Sequence, residues 1–274
     1  MKTSRFTRAC YALYIAVIFC FFYLPIAVTM FFSFNSSKSL THFSGFSLRW
    51  YGNLLKDGEI MDAVIVSVTI AILATVISTI LGTLTAIGLS KCKKVVRELL
   101  LNVNNVPMMN PDIVTAIGFM ILFSSLRIPK GYYTMLFAHI TFCTPYVITS
   151  VYPKVKNLDP NLADAAMDLG ATPFQALYMV ILPMLKEGIF AGALLAFTMS
   201  FDDFVISYFV TGNGVANISI IVYNMTKRTN PTINALSTIV IGVIFLVLLV
   251  TRLLPLLSKR SKKKGGSFDE AEEY

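Results

Sequence analysis

LADAAMDLGATPFQALYMVILP, running from Leu162 to Pro183, is an ordered polar stretch between two apolar ones, and the fold turns on how it reads. Just ahead of it, Asp159-Pro160 supplies an N-cap and a first-turn proline, which predicts a short helix ending near Leu169. Gly170 offers the left-handed residue that closes such a helix. Thr172-Pro173 repeats the start signal, and Phe174, Leu177, Tyr178 and Ile181 follow at i, i+3, i+4 and i+7. The expected unit is helix, turn, helix, with an apolar stripe and no lipid to bury it in. Such a face calls for a protein partner; the plainer alternative is an amphipathic loop lying on the membrane surface.

Composition places that loop in a membrane protein. The 274 residues are 55% hydrophobic and only 14% charged, and the mean hydropathy is +0.70. Six stretches are long enough to cross a hydrocarbon layer that needs about 20 apolar residues. They lie near 10–34, 62–90, 99–126, 132–152, 187–210 and 232–257. No soluble segment of domain size remains, so the expectation is an all-α integral membrane protein with six transmembrane helices, residues 1–274 forming one domain. The first span follows Lys2, Arg5 and Arg8 like a signal peptide. Its apolar run is too long for one and lacks a small-residue cleavage site, so it reads as retained.

Charge sets the expected orientation. With both termini cytoplasmic, the inner segments hold 16 of the 23 Lys and Arg: three at the start, four in Lys91–Arg97, three in Lys154–Lys186 and six from Arg252 onward. That asymmetry follows the positive-inside rule, so the net charge of +8 reports topology and not nucleic-acid binding. The inner loop of about 153–187 contains the opening stretch. The tail of about 258–274 is basic at Lys259–Lys264, a stop-transfer flank that also suits anionic lipid, and acidic at Asp269–Glu273.

Several chemistries are missing from the sequence. Cys10, Cys20, Cys92 and Cys143 show neither metal spacing nor a pairing pattern, and no metal site is expected. There is no HExxH, no GxSxG and no GxxxxGK[ST] phosphate loop, so the chain reads as a non-enzyme that cannot hydrolyse ATP alone. His139, inside the fourth span, reads as a residue hydrogen-bonded between helices.

Two spans are costly in lipid. In the third, Asn102, Asn104, Asn105, Asn110 and Asp112 crowd around Pro107 and Pro111. The prolines should bend or interrupt the helix, and Asn102, Asn105 and Asp112 would share one wet face at 3.6 residues per turn. A pathway-lining bend is expected, against a kinked helix glued by asparagines. In the fifth, Asp202-Asp203 lies roughly 21 Å from the inner end at 1.5 Å per residue, among Phe201, Phe204, Tyr208 and Phe209. Paired carboxylates at that depth need cations, water or protonation. One carboxylate is expected to face a pathway, the other to pair with a neighbouring helix or to satisfy freed backbone groups; the alternative is a purely structural pair. Carboxylates with aromatic faces suit an organic ammonium ion. Gly188 and Gly192 read as a small-residue packing face. Outside, Trp50 and its aromatic neighbours read as a membrane-interface anchor, and Ile218–Met225 as a short surface helix.

The opening stretch also carries a family resemblance. Asp164-Ala165-Ala166, then Gly170, then the closing Val180-Ile181-Leu182-Pro183 resembles the EAA loop of ABC importer permeases, with Asp for Glu and Val for Ile. FSFNSS (32–37), MMNPDIVTAI (108–117), HITFCTPYV (139–147), SFDDFVISYFVTG (200–212) and NPTINALSTI (230–239) are similar to the C-type permease of spermidine/putrescine importers. Related permeases carry other small solutes, and an ion-coupled carrier is the rival from another class. The resemblance implies a type I ABC importer permease in a bacterial inner or plasma membrane. It implies a homologous partner permease, two ATPase subunits and an extracytoplasmic polyamine-binding protein, with ATP used by the ATPase and no cofactor on this chain. Asp164, Ala165, Ala166, Gly170, Leu182 and Pro183 would then dock the ATPase. Asp202, Asp203, Asp112, Asn110, Phe201 and Tyr208 would line the substrate path.

Overall fold

Apolar residues in long uninterrupted runs become long helices, because in lipid each backbone N–H must find its partner within its own segment. The computed structural model describes residues 5–39, 42–212, 214–227, 231–243, 245–246 and 249. Among them the order is α1 (Arg5–Phe32), α2 (Arg49–Lys56), α3 (Gly58–Lys91), α4 (Lys94–Met109), α5 (Asp112–Ser125), α6 (Tyr132–Lys156), α7 (Leu162–Asp168), α8 (Pro173–Ala176), α9 (Leu182–Asp202), α10 (Val205–Val210) and α11 (Ile218–Lys227). A further apolar helix, α12, covers Thr232–Val243. The only β pairing among the described residues is an isolated bridge between Asn35 and Phe46.

Four of these helices are long and apolar enough to cross a membrane, and α4 with α5 makes a fifth span bent by 102°. Much of the expected sixth span, with Lys259–Lys264 and Asp269–Glu273, lies outside the described residues. The bend falls at Asn110-Pro111, where Pro111 supplies no N–H to a continuing helix. It also corrects the single wet face expected for the third span. Asn102 and Asn105 lie on one axis and Asp112 begins another, so helical phase no longer relates them.

By contact the chain divides into two units, 1–57 with 225–274, and 58–224. In the first unit α1 leaves its large side chains exposed, as a lipid-facing helix would. The loop after it is organised by Asn35. Its Nδ2 donates to the carbonyls of Ser39 and His42, and its Oδ1 accepts from the Ser44 N–H. Its own carbonyl accepts from Trp50 Nε1 at 2.7 Å. Trp50 is 3% exposed, so it is the core of this loop and not the interface anchor expected from composition.

In the second unit α6 is the central helix, packed by both α3 and α9. The contacts are made through glycine. A Cβ on Gly82 would stand 2.7 Å from the Val147 side chain, and one on Gly192 would stand 3.2 Å from the Val147 Cα. Ser150 Oγ donates to the Gly188 carbonyl. The Gly188/Gly192 face therefore packs as expected, and small residues let backbones approach where lipid gives no hydrophobic drive.

Candidate functional site

The segment 162–183 folds from local signals. Asp159 Oδ1 accepts from the Asn161 N–H, which turns the chain into α7. At the other end Gly170 has φ +92°. The Gly170 N–H donates to the Met167 carbonyl and the Ala171 N–H to the Ala166 carbonyl. This double closure satisfies carbonyls the helix leaves open. Thr172 then caps α8: its Oγ1 accepts from the Gln175 N–H, and Gln175 Oε1 accepts from the Thr172 N–H at 2.8 Å.

The second helix departs from the sequence expectation. It is not separate from the span expected near 187–210 but runs on through a wide turn, Leu177–Ile181, into α9, making one rod from Pro173 to Asp202. At that turn the Leu182 N–H reaches back five residues to the Leu177 carbonyl. Pro183 follows with no N–H to offer and a ring that crowds the preceding turn, and the widening accommodates it. The apolar stripe is also divided. Leu177 and Ile181 turn inward with Ile87, Tyr152 and Val155 around a cavity of about 380 Å3, while Phe174 and Tyr178 stay exposed. Asp164 and Ala165 are exposed, Ala166 and Leu182 half-buried, and Pro183 exposed. Leu169, beside Gly170, is 91% exposed, and nothing stands within 4 Å of a Cβ built on Gly170.

At the far end of the rod the helix breaks without any glycine or proline. Asp203 takes an extended conformation (φ −65°, ψ 124°) directly after the last residue of α9, Asp202. A continuous helix would send the Ile206 and Ser207 N–H groups to the carbonyls of residues 202 and 203. They donate to the Asp203 carboxylate instead, at 3.2 and 2.7 Å, so this side chain caps α10. The vacated Asp203 carbonyl accepts from Asn217 Nδ2 at 2.9 Å.

His139, on α6, reaches both sides of the break. Its Nδ1 lies 2.7 Å from Ser200 Oγ on α9, and its Nε2 lies 3.0 Å from Ser207 Oγ on α10. Nε2 is also 3.4 Å from Asp203 Oδ2. A ring with the Ser200 hydroxyl donating to Nδ1 and Nε2–H turned toward Ser207 and the carboxylate satisfies every group in reach. Asn217 Nδ2 completes the knot on Ser207 Oγ. His139 thus joins helices by hydrogen bonds, as expected of an intramembrane His.

The two adjacent carboxylates therefore part company. The Asp203 side chain is 7% exposed, whereas Asp202 is exposed. Phe201 stacks on Phe197 one turn back, its ring centroid 5.7 Å away. Tyr208, exposed on α10, joins an aromatic group with Phe204 and Tyr223. Tyr208 also lines a cavity of about 780 Å3 with Glu59, Asp62, Lys130 and Asn224. Asn110 and Asp112 are exposed at the other break, where Asp112 opens α5 and its charge suits the helix N-terminus. Among the described residues no hydrogen bond or ion pair joins that break to the one at Asp203, although α10 packs on α5. No cluster of His, Cys, Asp or Glu among them is arranged to hold a metal ion.

Sequence reasoning missed the groups that surround His139 and Asp203. Ser200 and Ser207 are ordinary polar residues marked only by their depth in a span, and Asn217 lies beyond the expected span 187–210.

With this geometry in place, comparison with known proteins gives the class. The family described as "Binding-protein-dependent transport system inner membrane component" matches residues 78–263, and the chain belongs to it. Among curated proteins it is similar to the spermidine/putrescine transport system permease protein PotC of Escherichia coli (strain K12). The two are 35% identical over 257 residues, which is 93% of this chain and 96% of that protein. It is also similar to the putrescine transport system permease protein PotI of the same strain, 38% identical over 237 residues, 84% of each chain. A solved bacterial ABC transporter involved in the import of the acidic polysaccharide alginate shares the fold. Its chain has a TM-score of 0.73 at 17% identity, covering 93% of this chain and 98% of that one.

Proposed function

We propose that this chain is the transmembrane permease subunit of an ATP-driven importer of polyamines, spermidine or putrescine. The observation that carries the reading is the identity of 35% and 38%, over most of its length, to permeases named for those solutes. The site agrees with it. Asp202 is an exposed carboxylate at the end of a membrane helix, Phe201 precedes it in the chain with its ring stacked on Phe197, and Tyr208 is exposed on the next helix beside Phe204. An alkyl chain bearing ammonium groups takes both salt bridges and cation–π contacts. Asp112 and Asn110 add polar groups at a second break.

In this reading the chain has six spans, cytoplasmic termini and a place in the bacterial inner membrane. A homologous permease supplies the other wall of the path, and an extracytoplasmic binding protein delivers the polyamine. Of two ATPase subunits, one seats its groove against Asp164–Gly170 and the segment that ends in Leu182-Pro183; the pair consumes the ATP, and this chain holds no cofactor. A trivalent polyamine gains roughly 7 kcal/mol per 100 mV on entering a negative interior, at about 2.3 per charge. Acidic residues on the path need only guide and desolvate it.

The test is uptake of radiolabelled spermidine and putrescine by vesicles containing the assembled transporter. ATP-dependent uptake that stops when the ATPase subunit is omitted supports the reading. Uptake by this chain without an ATPase, or uptake of an unrelated solute with polyamines ignored, rejects it.

A further inference from the structure

The break after Asp202 is held by more than its local chain. Ser200 lies two residues before Asp202 and Ser207 five after it, and one imidazole from a different helix bonds to both. Asp203 replaces the two lost helical carbonyls with its carboxylate, and Asn217 occupies the carbonyl that the break sets free. The Ile218 N–H, next in sequence, donates to Ser67 Oγ on α3 at 2.7 Å, which ties the same knot to a further helix. His139 and Ser207 are fully buried and Ser200 and Asn217 nearly so. Buried polar networks with every member satisfied fix a unique geometry, because each alternative leaves an unpaired group in a low dielectric.

We propose that His139 and Asp203, with Ser200, Ser207 and Asn217, are positioning residues for transport. They do not meet the polyamine; they hold the break at an angle that turns Asp202 out of the interior toward the substrate. The difference between the neighbouring carboxylates is the sign of this. Asp203 is turned inward against His139, and the extended residue at 203 ends the helix so that Asp202 is left exposed. Loosening the knot lets α9 and α10 change their relative direction, and Asp202 moves with the end of α9. This inference rests on the reading that Asp202 meets the cationic substrate.

A double-mutant cycle in the reconstituted complex, with ATPase, partner permease and binding protein, tests it. Ser200→Ala removes one half of the imidazole bridge and leaves the buried carboxylate paired, so folding is spared; co-purification of the subunits verifies assembly. We expect Ser200→Ala to raise the KM for spermidine about fivefold in the parent and less than about twofold in an Asp202→Asn background. Equal effects in the two backgrounds, or no effect in the parent, overturn the inference.

A second arm needs no transport. Asp202→Cys is labelled with a cationic, membrane-impermeant thiosulfonate and followed by peptide mass spectrometry, with and without His139→Gln. A labelling rate changed by about fivefold or more supports positioning, and an unchanged rate overturns it. If Asp202→Asn leaves uptake kinetics intact, the substrate reading of Asp202 fails, and the labelling arm still decides whether the knot sets its exposure.

Discussion

Gly82 and Val147 stand so close that a Cβ on the glycine would lie 2.7 Å from the valine side chain. Val147 is fully buried on α6, between α3 and α9. Even one added methyl group at residue 82 must push the helices apart. Gly82→Ala should destabilise the bundle by about 1–3 kcal/mol and lower the thermal midpoint of the detergent-solubilised protein. Adding Val147→Ala should recover most of the loss by making room; a double variant no better than the single one contradicts this packing.

Gly170 offers a contrast, since its substitution meets no neighbour. Its φ of +92° is the whole constraint, with open space around a built Cβ. Gly170→Val should cost about 1–2 kcal/mol locally and re-aim Leu169 and the start of α8. The expected result is normal membrane insertion, reduced uptake and ATP hydrolysis no longer tied to it. Gly170→Asn, which tolerates the left-handed region, should behave nearly as the parent. Parallel measurement of phosphate release and uptake checks both.

The capping box at Thr172 and Gln175 is a milder lever on the same loop. Thr172→Ala should weaken the N-terminus of the rod by about 1 kcal/mol. Hydrogen exchange should quicken at the N–H of Gln175, which now donates to Thr172 Oγ1 at 3.3 Å, while the middle of α9 is unchanged.

For the path itself, Asp202→Asn keeps shape and removes charge. Uptake of spermidine at low concentration should fall about tenfold, the factor for roughly 1.4 kcal/mol, with subunit assembly preserved. Asp202→Glu should retain most of the activity. Equal kinetics for the parent and the Asn variant would take Asp202 off the path.

How much of this was legible in the sequence follows from the range of the interactions. The segment 162–176 was readable because caps, Gly170 and Pro173 act within a few residues. The bend at Asn110-Pro111 was readable because proline removes a donor wherever it sits. The run of the rod through Pro183 was not. A proline usually marks a helix start or stop, and the wide turn at Leu177–Ile181 has no local code. The break after Asp202 was hidden for a different reason. The Asp203 carboxylate caps α10, but the two sides of the break are held by His139, which bonds Ser200 and Ser207 from 61 and 68 residues away in sequence. Trp50 misled because composition registers an aromatic ring near a membrane surface, while its burial depends on the carbonyl of Asn35.

The rod from Pro173 to Asp202 spans 30 residues, roughly 45 Å at 1.5 Å per residue. Under the proposed function its lower end belongs to the motor and its upper end to the cargo, and no joint of flexible chain separates them. A tilt imposed at Thr172 is delivered to Asp202 as a swing, much as an oar blade answers the handle. Stroke and gate are then one mechanical part, and any slack in the machine has to reside at the two ends, in the turn at Gly170 and in the hinge that follows Asp202.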